Sequence, residues 1–380
     1  MNRIICFGMM LLLPVLGMAQ PVFTEHTVST AIANPIGVQA VQFDGDPELE
    51  MIAGNYVDGF VYTVDGGGDI WQTEQIGTVS DGVIHFDSGD IDGDGDQDAC
   101  AAIFDDTVVK WWENDAGMWI EHVIGSLWVA RRIALADIDG DGDLDVVAVS
   151  QLQGIYWWEN MGAGASWTPH MIFGTGDYWG LALDDLDNDG DVDIVSSLYI
   201  DGIIRWHENT DLVWTTHVIA SNLSLPKDLS TADINGDGLL DVVAANNGDP
   251  GQVAWYMNQP EPNWPAETIG NFLGANDVDT ADLDGDGDID VAAAAFTGDT
   301  IAWWEQDGVA WIYHELITGF DSAWNVDIAD IDADGDLDIT GVSYAGDLIL
   351  WWEQEGVPGP VRFDLIPQIT TVPAEGGFIY

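Results

Sequence analysis

The nine residues DIDGDGDLD, Asp137–Asp145, decide how this chain is read. They recur as DIDGDGDQD from Asp90, DLDNDGDVD from Asp185, DINGDGLLD from Asp233, DLDGDGDID from Asp282 and DIDADGDLD from Asp330, with successive starts 47, 48, 48, 49 and 48 residues apart. One more step of 48 back from Asp90 reaches Gln42, where QFDGDPELE is a degraded seventh copy. Self-similarity on this scale means an array of like units, so the fold has to be read one unit at a time.

Two other signatures keep the period. The first is WWEN at Trp111 and Trp157, WHEN at Trp206, WYMN at Trp255 and WWEQ at Trp303 and Trp351, with TVDG at Thr63 as the worn copy. The second is W-x-x-H at Trp119, Trp167, Trp214 and Trp311, with Glu replacing His after Trp71 and Trp264, and Phe23/His26 standing alone near the start. Between the signatures run short β-branched and aromatic stretches bounded by Gly, Asn and Asp, and no 3.6-residue period appears. In the third unit the expected strands are 133–136, 146–150, 155–159 and 167–172. Four strands in each of seven units of 40 to 50 residues predict an all-β, seven-bladed β-propeller of four-stranded blades. The last unit lacks a W-x-x-H strand, so the strand carrying Phe23 and His26 is expected to complete it and close the ring.

Four or five carboxylates within nine residues repel one another, and such a loop is costly to fold without a cation among them. Calcium takes about six to eight hard oxygens in a flexible cage. With the first Asp as position one, side-chain ligands are expected at positions one, three, five and nine, a backbone carbonyl at seven and a turn glycine at six. The candidate metal residues are Asp90, Asp92, Asp94, Asp96 and Asp98; Asp137, Asp139, Asp141, Asp143 and Asp145; Asp185, Asp187, Asp189, Asp191 and Asp193; Asp233, Asn235, Asp237, Leu239 and Asp241; Asp282, Asp284, Asp286, Asp288 and Asp290; and Asp330, Asp332, Asp334, Asp336 and Asp338. Leu239 has no side-chain oxygen, which is why position seven is assigned through its main chain. An EF-hand would need Glu at position twelve and flanking helices, whereas Ala101 and Ala148 stand there between strands. Five to six Ca2+ ions are expected, one per intact loop. The first loop, with Gln42 at position one and Pro47 in place of glycine, is the weakest candidate.

These loops and their spacing resemble the FG-GAP/VCBS repeats of integrin-α-like seven-bladed propellers, over roughly residues 22–357. The resemblance implies a calcium-stiffened propeller whose metal loops join the first two strands of each blade on one face and whose ligands are met on the other. It also implies several functions, since members of the family serve as adhesion modules, lectins and, in some cases, polysaccharide lyases. The chain departs from the pattern in its first loop and in having no recognisable Phe-Gly and Gly-Ala-Pro pair.

Composition narrows the partners. Among 380 residues there are 7 Lys+Arg against 67 Asp+Glu, a formal net charge of -60, yet 47% of the chain is hydrophobic and it carries 19 Trp. So much apolar surface excludes a disordered acidic tail. So few cations exclude a phosphate-neutralising stripe and an anionic membrane surface. Residues 1–19 have Arg3, an apolar run from Ile4 to Leu13, and Gly17 and Ala19 before Gln20, which reads as a secretory signal peptide. The propeller is assigned to 20–357. Residues 358–380, with four prolines, read as a linker and the opening of a second domain, for which an immunoglobulin-like sandwich is the candidate. Cys6 falls in the leader, leaving Cys100 with no partner for an intrachain disulfide. The expected product is a secreted or cell-surface, monomeric propeller.

Residues that repeat are explained by the repeated structure, so function is sought where the blades disagree. Six residues before each loop stand Ile36, Ile84, Arg131, Trp179, Lys227, Asn276 and Trp324, followed by Gly37, His85, Arg132, Gly180, Asp228, Asp277 and Asn325. These should ring the mouth of the central channel, opposite the metal loops. Aromatic faces beside planar donors and acceptors suit sugar or peptide recognition. The candidate ligand site is therefore Arg131, Arg132, Trp179, Lys227, Asp228, Asn276, Asp277, Trp324 and Asn325. Two functions follow: an adhesion or carbohydrate/protein-binding module with an extracellular glycan or protein partner, or a uronic-acid lyase using His85 or Lys227 as base and Arg131 or Arg132 to neutralise the substrate.

Overall fold

The computed structural model describes residues 21–355, apart from 58, 68–69, 80–81, 105–106 and 260–262. The leader read at 1–19 and the segment from 358 lie outside the described residues. Within them, 28 strands form seven antiparallel four-stranded sheets in sequential order, and no helix is present. In the third blade the strands are Ala130–Ala136, Asp145–Ser150, Gly154–Asn160 and Trp167–Phe173. The innermost strand of each blade adjoins its counterpart in the next, and Ala323–Ala329 adjoins Pro35–Val41, so the ring is closed. The seventh sheet is completed by Val22–Ser29, which pairs with Leu348–Glu355.

A blade is covered on both faces, and this sets its sequence. The second strand of every blade is buried along all six residues. It therefore reads as an unbroken run of small apolar residues, such as Val146–Val149 or Ala292–Ala295, rather than alternating. Seven apolar clusters fill the structure, one at each interface between neighbouring blades. Successive side chains on a strand point to opposite faces, and that explains the Trp-Trp pair. Trp303 lies with Trp352 in the interface between the sixth and seventh blades, while Trp304 lies with Trp255 in the interface before it. Each signature thus supplies one ring to each neighbour.

The outer strand braces the first ring of the pair. His122 stacks on Trp111 at 4.5 Å between ring centroids and reaches Glu113 at 2.7 Å, an arrangement repeated at His170, His217 and His314. His26 does the same to Trp351 and Glu353 across the closing strand pair, so the first strand enters the seventh blade as its missing W-x-x-H strand. His207 occupies the second Trp position of its signature. It is buried, bonded to Ser196 Oγ at 3.0 Å and Thr216 Oγ1 at 2.9 Å, and burial pulls its pKa down to about 3.

In three blades the second Trp presses on a glycine in the outer strand of the preceding blade: Trp112 on Gly77, Trp158 on Gly125 and Trp304 on Gly270. A Cβ on Gly125 would lie 2.1 Å from Trp158 Nε1, whereas one on Gly174 would meet nothing within 4 Å. Gly125→Ala should therefore lose about 1–3 kcal/mol through overpacking, read as a lower melting temperature, while Gly174→Ala should leave it unchanged.

Candidate functional site

All seven Asp-type loops connect the innermost strand of a blade to its second strand, at one end of the ring. The turn is set by the residue at position six. Gly95, Gly142, Gly190, Gly238, Gly287 and Gly335 have φ between 87° and 104°, a region that favours glycine. Each donates its N–H to the position-one carboxylate, for instance Gly142 to Asp137 Oδ2 at 3.0 Å and Gly335 to Asp330 Oδ2 at 3.2 Å.

Carboxylate oxygens from Asp137, Asp139 and Asp145 lie within 4.8 Å of one another, as do those of Asp185, Asp187 and Asp193, of Asp282, Asp284 and Asp290, and of Asp90, Asp92 and Asp94. These clusters could hold metal ions. The oxygen-only donor set fits a hard cation. Asp90 Oδ1, Asp282 Oδ1 and Asp330 Oδ1 are buried and accept no hydrogen bond from the described residues. A buried carboxylate oxygen without a donor is costly unless a cation satisfies it. Burial, then the neighbouring Asp286, pushes the Asp284 carboxyl up to about 6.

Position nine has a second task. Asp145 accepts from Ile138 N at 3.1 Å and from Asn160 N at 2.7 Å, tying its loop to the third strand. Asp98, Asp193, Asp290 and Asp338 repeat both bonds. Burial lifts the Asp98, Asp145, Asp193 and Asp338 carboxyls to about 7 and Asp290 to about 8, against the pull of those donors.

The Asn that ends the WWEN signature then links blades. Asn160 Nδ2 donates to Leu144 O in its own loop at 3.1 Å and to Ile91 O in the loop of the preceding blade at 2.9 Å. Asn114, Asn209 and Asn258 make the same pair of bonds, and Gln306 reaches Ile234 O at 3.1 Å. Sequence reasoning missed this latch. Its signal was present, since the fourth signature residue is Asn or Gln in six units, but it was absorbed into the packing motif.

At the opposite end, the nine candidate ligand residues come together. The channel there holds a cavity of about 240 Å³ lined by Arg131, Arg132, Trp179, Lys227, Asn276, Asp277, Trp324 and Asn325, with Asp228 fully buried beside them. A bulge at the start of the innermost strand interrupts its register at Arg131, Lys227, Asn276 and Trp324. Bulges re-aim side chains, and two consecutive residues per strand reach the channel.

The polar groups are largely committed to one another. Arg132 pairs with Asp228 and lies 3.3 Å from Asp277 Oδ1. Asp277 Oδ2 accepts from Asn325 Nδ2 at 2.7 Å and Val326 N at 3.1 Å. Lys227 donates to Asn276 Oδ1, and its Nζ sits 4.6 Å from the Trp179 ring centre and 4.1 Å from that of Trp324. Burial brings the Lys227 amine down to about 7, opposed by Asp277. Arg131 stacks between Phe104 and Trp179 and donates to Gln151 Oε1 at 2.7 Å. His85 lines the cavity, its Nδ1 is buried without a partner among the described residues, and burial holds its pKa well below the usual imidazole range. Trp179 and Trp324 remain partly exposed, and Trp128 stands exposed in the loop leading to the Arg131 strand.

A family model described as the FG-GAP-like repeat matches residues 90–148, 137–196, 233–293 and 282–340, together more than half of the chain. Each match runs from one Asp loop through the next, and the loop at Gln42 lies outside all four. No curated protein matches the chain significantly.

The latch can be tested by substitution. Asn160→Ala leaves two carbonyls without their donor, and the N–H groups of Gly162 and Gly164 without their acceptor, and should cost about 1–3 kcal/mol. Asn160→Gln, the residue used at position 306, should keep more than half of that stability in thermal unfolding.

Proposed function

The chain belongs to the FG-GAP-like repeat family, and from that premise we propose that it is a secreted, calcium-stiffened propeller that recognises a neutral, hydroxyl-rich carbohydrate at the mouth of its channel, as an extracellular adhesion or binding module. One observation carries the reading: two partly exposed tryptophans, Trp179 and Trp324, flank a cavity whose polar side chains are already held in place by one another and by those rings. Aromatic faces take the C–H face of a sugar ring. Prepositioned dipoles take its hydroxyls without an ordering cost. The leader-like run at Ile4–Leu13 supports secretion, and no helix among the described residues is long and apolar enough to cross a membrane.

The commitment of the cations separates this reading from a uronic-acid lyase. Lys227, with its amine near 7, is a plausible base in chemical terms. A lyase also needs a cation for the substrate carboxylate; the Arg132 guanidinium is already balanced by Asp228 and Asp277, and Arg131, the other candidate, is stacked between Phe104 and Trp179 and donates to Gln151. Binding without chemistry is the better match.

Calcium would be held at positions one, three, five and nine of the six glycine-containing loops, with the position-seven carbonyl, and would neutralise carboxylates that otherwise repel. EDTA should lower the melting temperature, and calcium should restore it; an unmoved transition would overturn the metal assignment. On a glycan array, neutral saccharides should be retained and polyuronates not. Trp179→Ala and Trp324→Ala should each weaken retention by about tenfold or more, ~1.4 kcal/mol, with the calcium-dependent part of the melting temperature unchanged. Unsaturated product from a polyuronate would favour the lyase instead.

A further inference from the structure

The loop at Gln42–Glu50 has four acids, and oxygens of three of them, Asp44, Asp46 and Glu50, lie within 4.8 Å of one another. It nevertheless differs from the other six in the two places that matter. At position one the side chain is an amide. Gln42 Oε1 accepts from Asp44 N at 3.0 Å and Gly45 N at 2.6 Å, as a position-one carboxylate does from its own loop. Gln42 Nε2 donates to the carbonyls of Asp46 and Glu48, the latter at 3.0 Å. Glu48 is position seven, whose carbonyl is assigned to the ion elsewhere.

A carboxylate has no proton to offer a carbonyl, so the other loops need a cation to hold positions one and seven together. Glutamine carries its own donor. At position six, Pro47 has no N–H to give the position-one side chain and cannot adopt the φ near 100° of the six glycines. Position nine is still served, because Glu50 Oε2 accepts from Phe43 N at 2.6 Å as the Asp residues do.

We infer that the first loop is closed by the Gln42 amide in place of a metal ion, so that the ring carries six metal loops and one metal-independent loop. The independent loop adjoins the seam where the chain closes. There the first blade has Gly66 in place of the latch Asn, and the backbone N–H of Leu49 reaches Ile331 O of the seventh blade at 2.8 Å. At the seam a backbone donor therefore stands in place of the side-chain latch. The inference rests on the calcium reading of the other loops.

Calcium bound to the purified chain after equilibration with calcium chloride and desalting, counted by elemental analysis, should be about six per chain, one for each glycine-containing loop. Gln42→Asp combined with Pro47→Gly should raise the count by one. Gln42→Ala should leave the count unchanged and lower the melting temperature by the same amount in calcium and in EDTA. A seventh ion in the unaltered chain, or loss of one ion with Gln42→Ala, would overturn this inference and leave the calcium reading intact. Absence of bound calcium would overturn both.

Discussion

Every blade of this ring must be apolar on both faces and must fit a neighbour on each, and the pair of adjacent third-strand side chains that face opposite ways, Trp-Trp in four of the seven blades, is the contact on which that depends. Adjacent residues on a strand face opposite ways, so the dipeptide sends one indole to each side. A buried indole removes roughly 150–250 Å² from water, which at about 25 cal/mol per Å² is about 4–6 kcal/mol. A latch hydrogen bond contributes about 1 kcal/mol. The indoles therefore supply most of the cohesion between blades, and the polar latches set how neighbouring blades are registered. Where an indole is missing, as at His207, the vacancy in the pattern is filled by a side chain with both ring nitrogens bonded.

Position nine of the Asp loops connects this apolar frame to the loops themselves. Its carboxylate holds the first turn of the loop with one oxygen and the backbone of the third strand with the other, next to the Asn that reaches the preceding blade. A cation in the loop, as proposed above, would act on a group already wired into two strands and, through that Asn, into the neighbouring interface, so that charge neutralisation would be coupled to the packing of adjacent blades. Among the described residues Cys100 is the one cysteine, and it is buried.

Much of the fold was legible because it repeats. Seven Asp loops, the Trp-Trp pairs and the displaced Phe23/His26 strand led to blade number, strand order and closure, and all three hold. The inner strand of the third blade begins at Ala130 instead of residue 133, since a bulge adds residues that carry no β-like alternation. The latch escaped because its Asn was read with the tryptophans beside it. Carboxylates that cap the next blade also escaped. Asp87 accepts from Leu135 N at 2.7 Å, and Asp279 and Asp327 serve Ile328 N and Ala40 N at 2.9 Å each. Such residues satisfy strand edges; they share one register, three residues before the loop, but Asp fills it in only three of the seven units, too few to stand out beside the loops.

The same logic explains why the channel mouth differs from blade to blade. A seven-fold ring of identical side chains would offer a symmetric hole, whereas the asymmetric ligand proposed above would need strand starts that diverge. The fold permits divergence there because those positions line the channel, with Trp324 also packed on the cluster between the seventh and first blades. Divergence still has to be paired internally: Arg132 sits between Asp228 and Asp277, and Lys227 between two indoles, because the surroundings are too enclosed for unpartnered charge. The pairing fixes the shape of the cavity: Arg131 and Lys227 stack on the Trp179 ring and Lys227 on that of Trp324, and only the part of each indole that stays exposed would be open to a rigid neutral ligand.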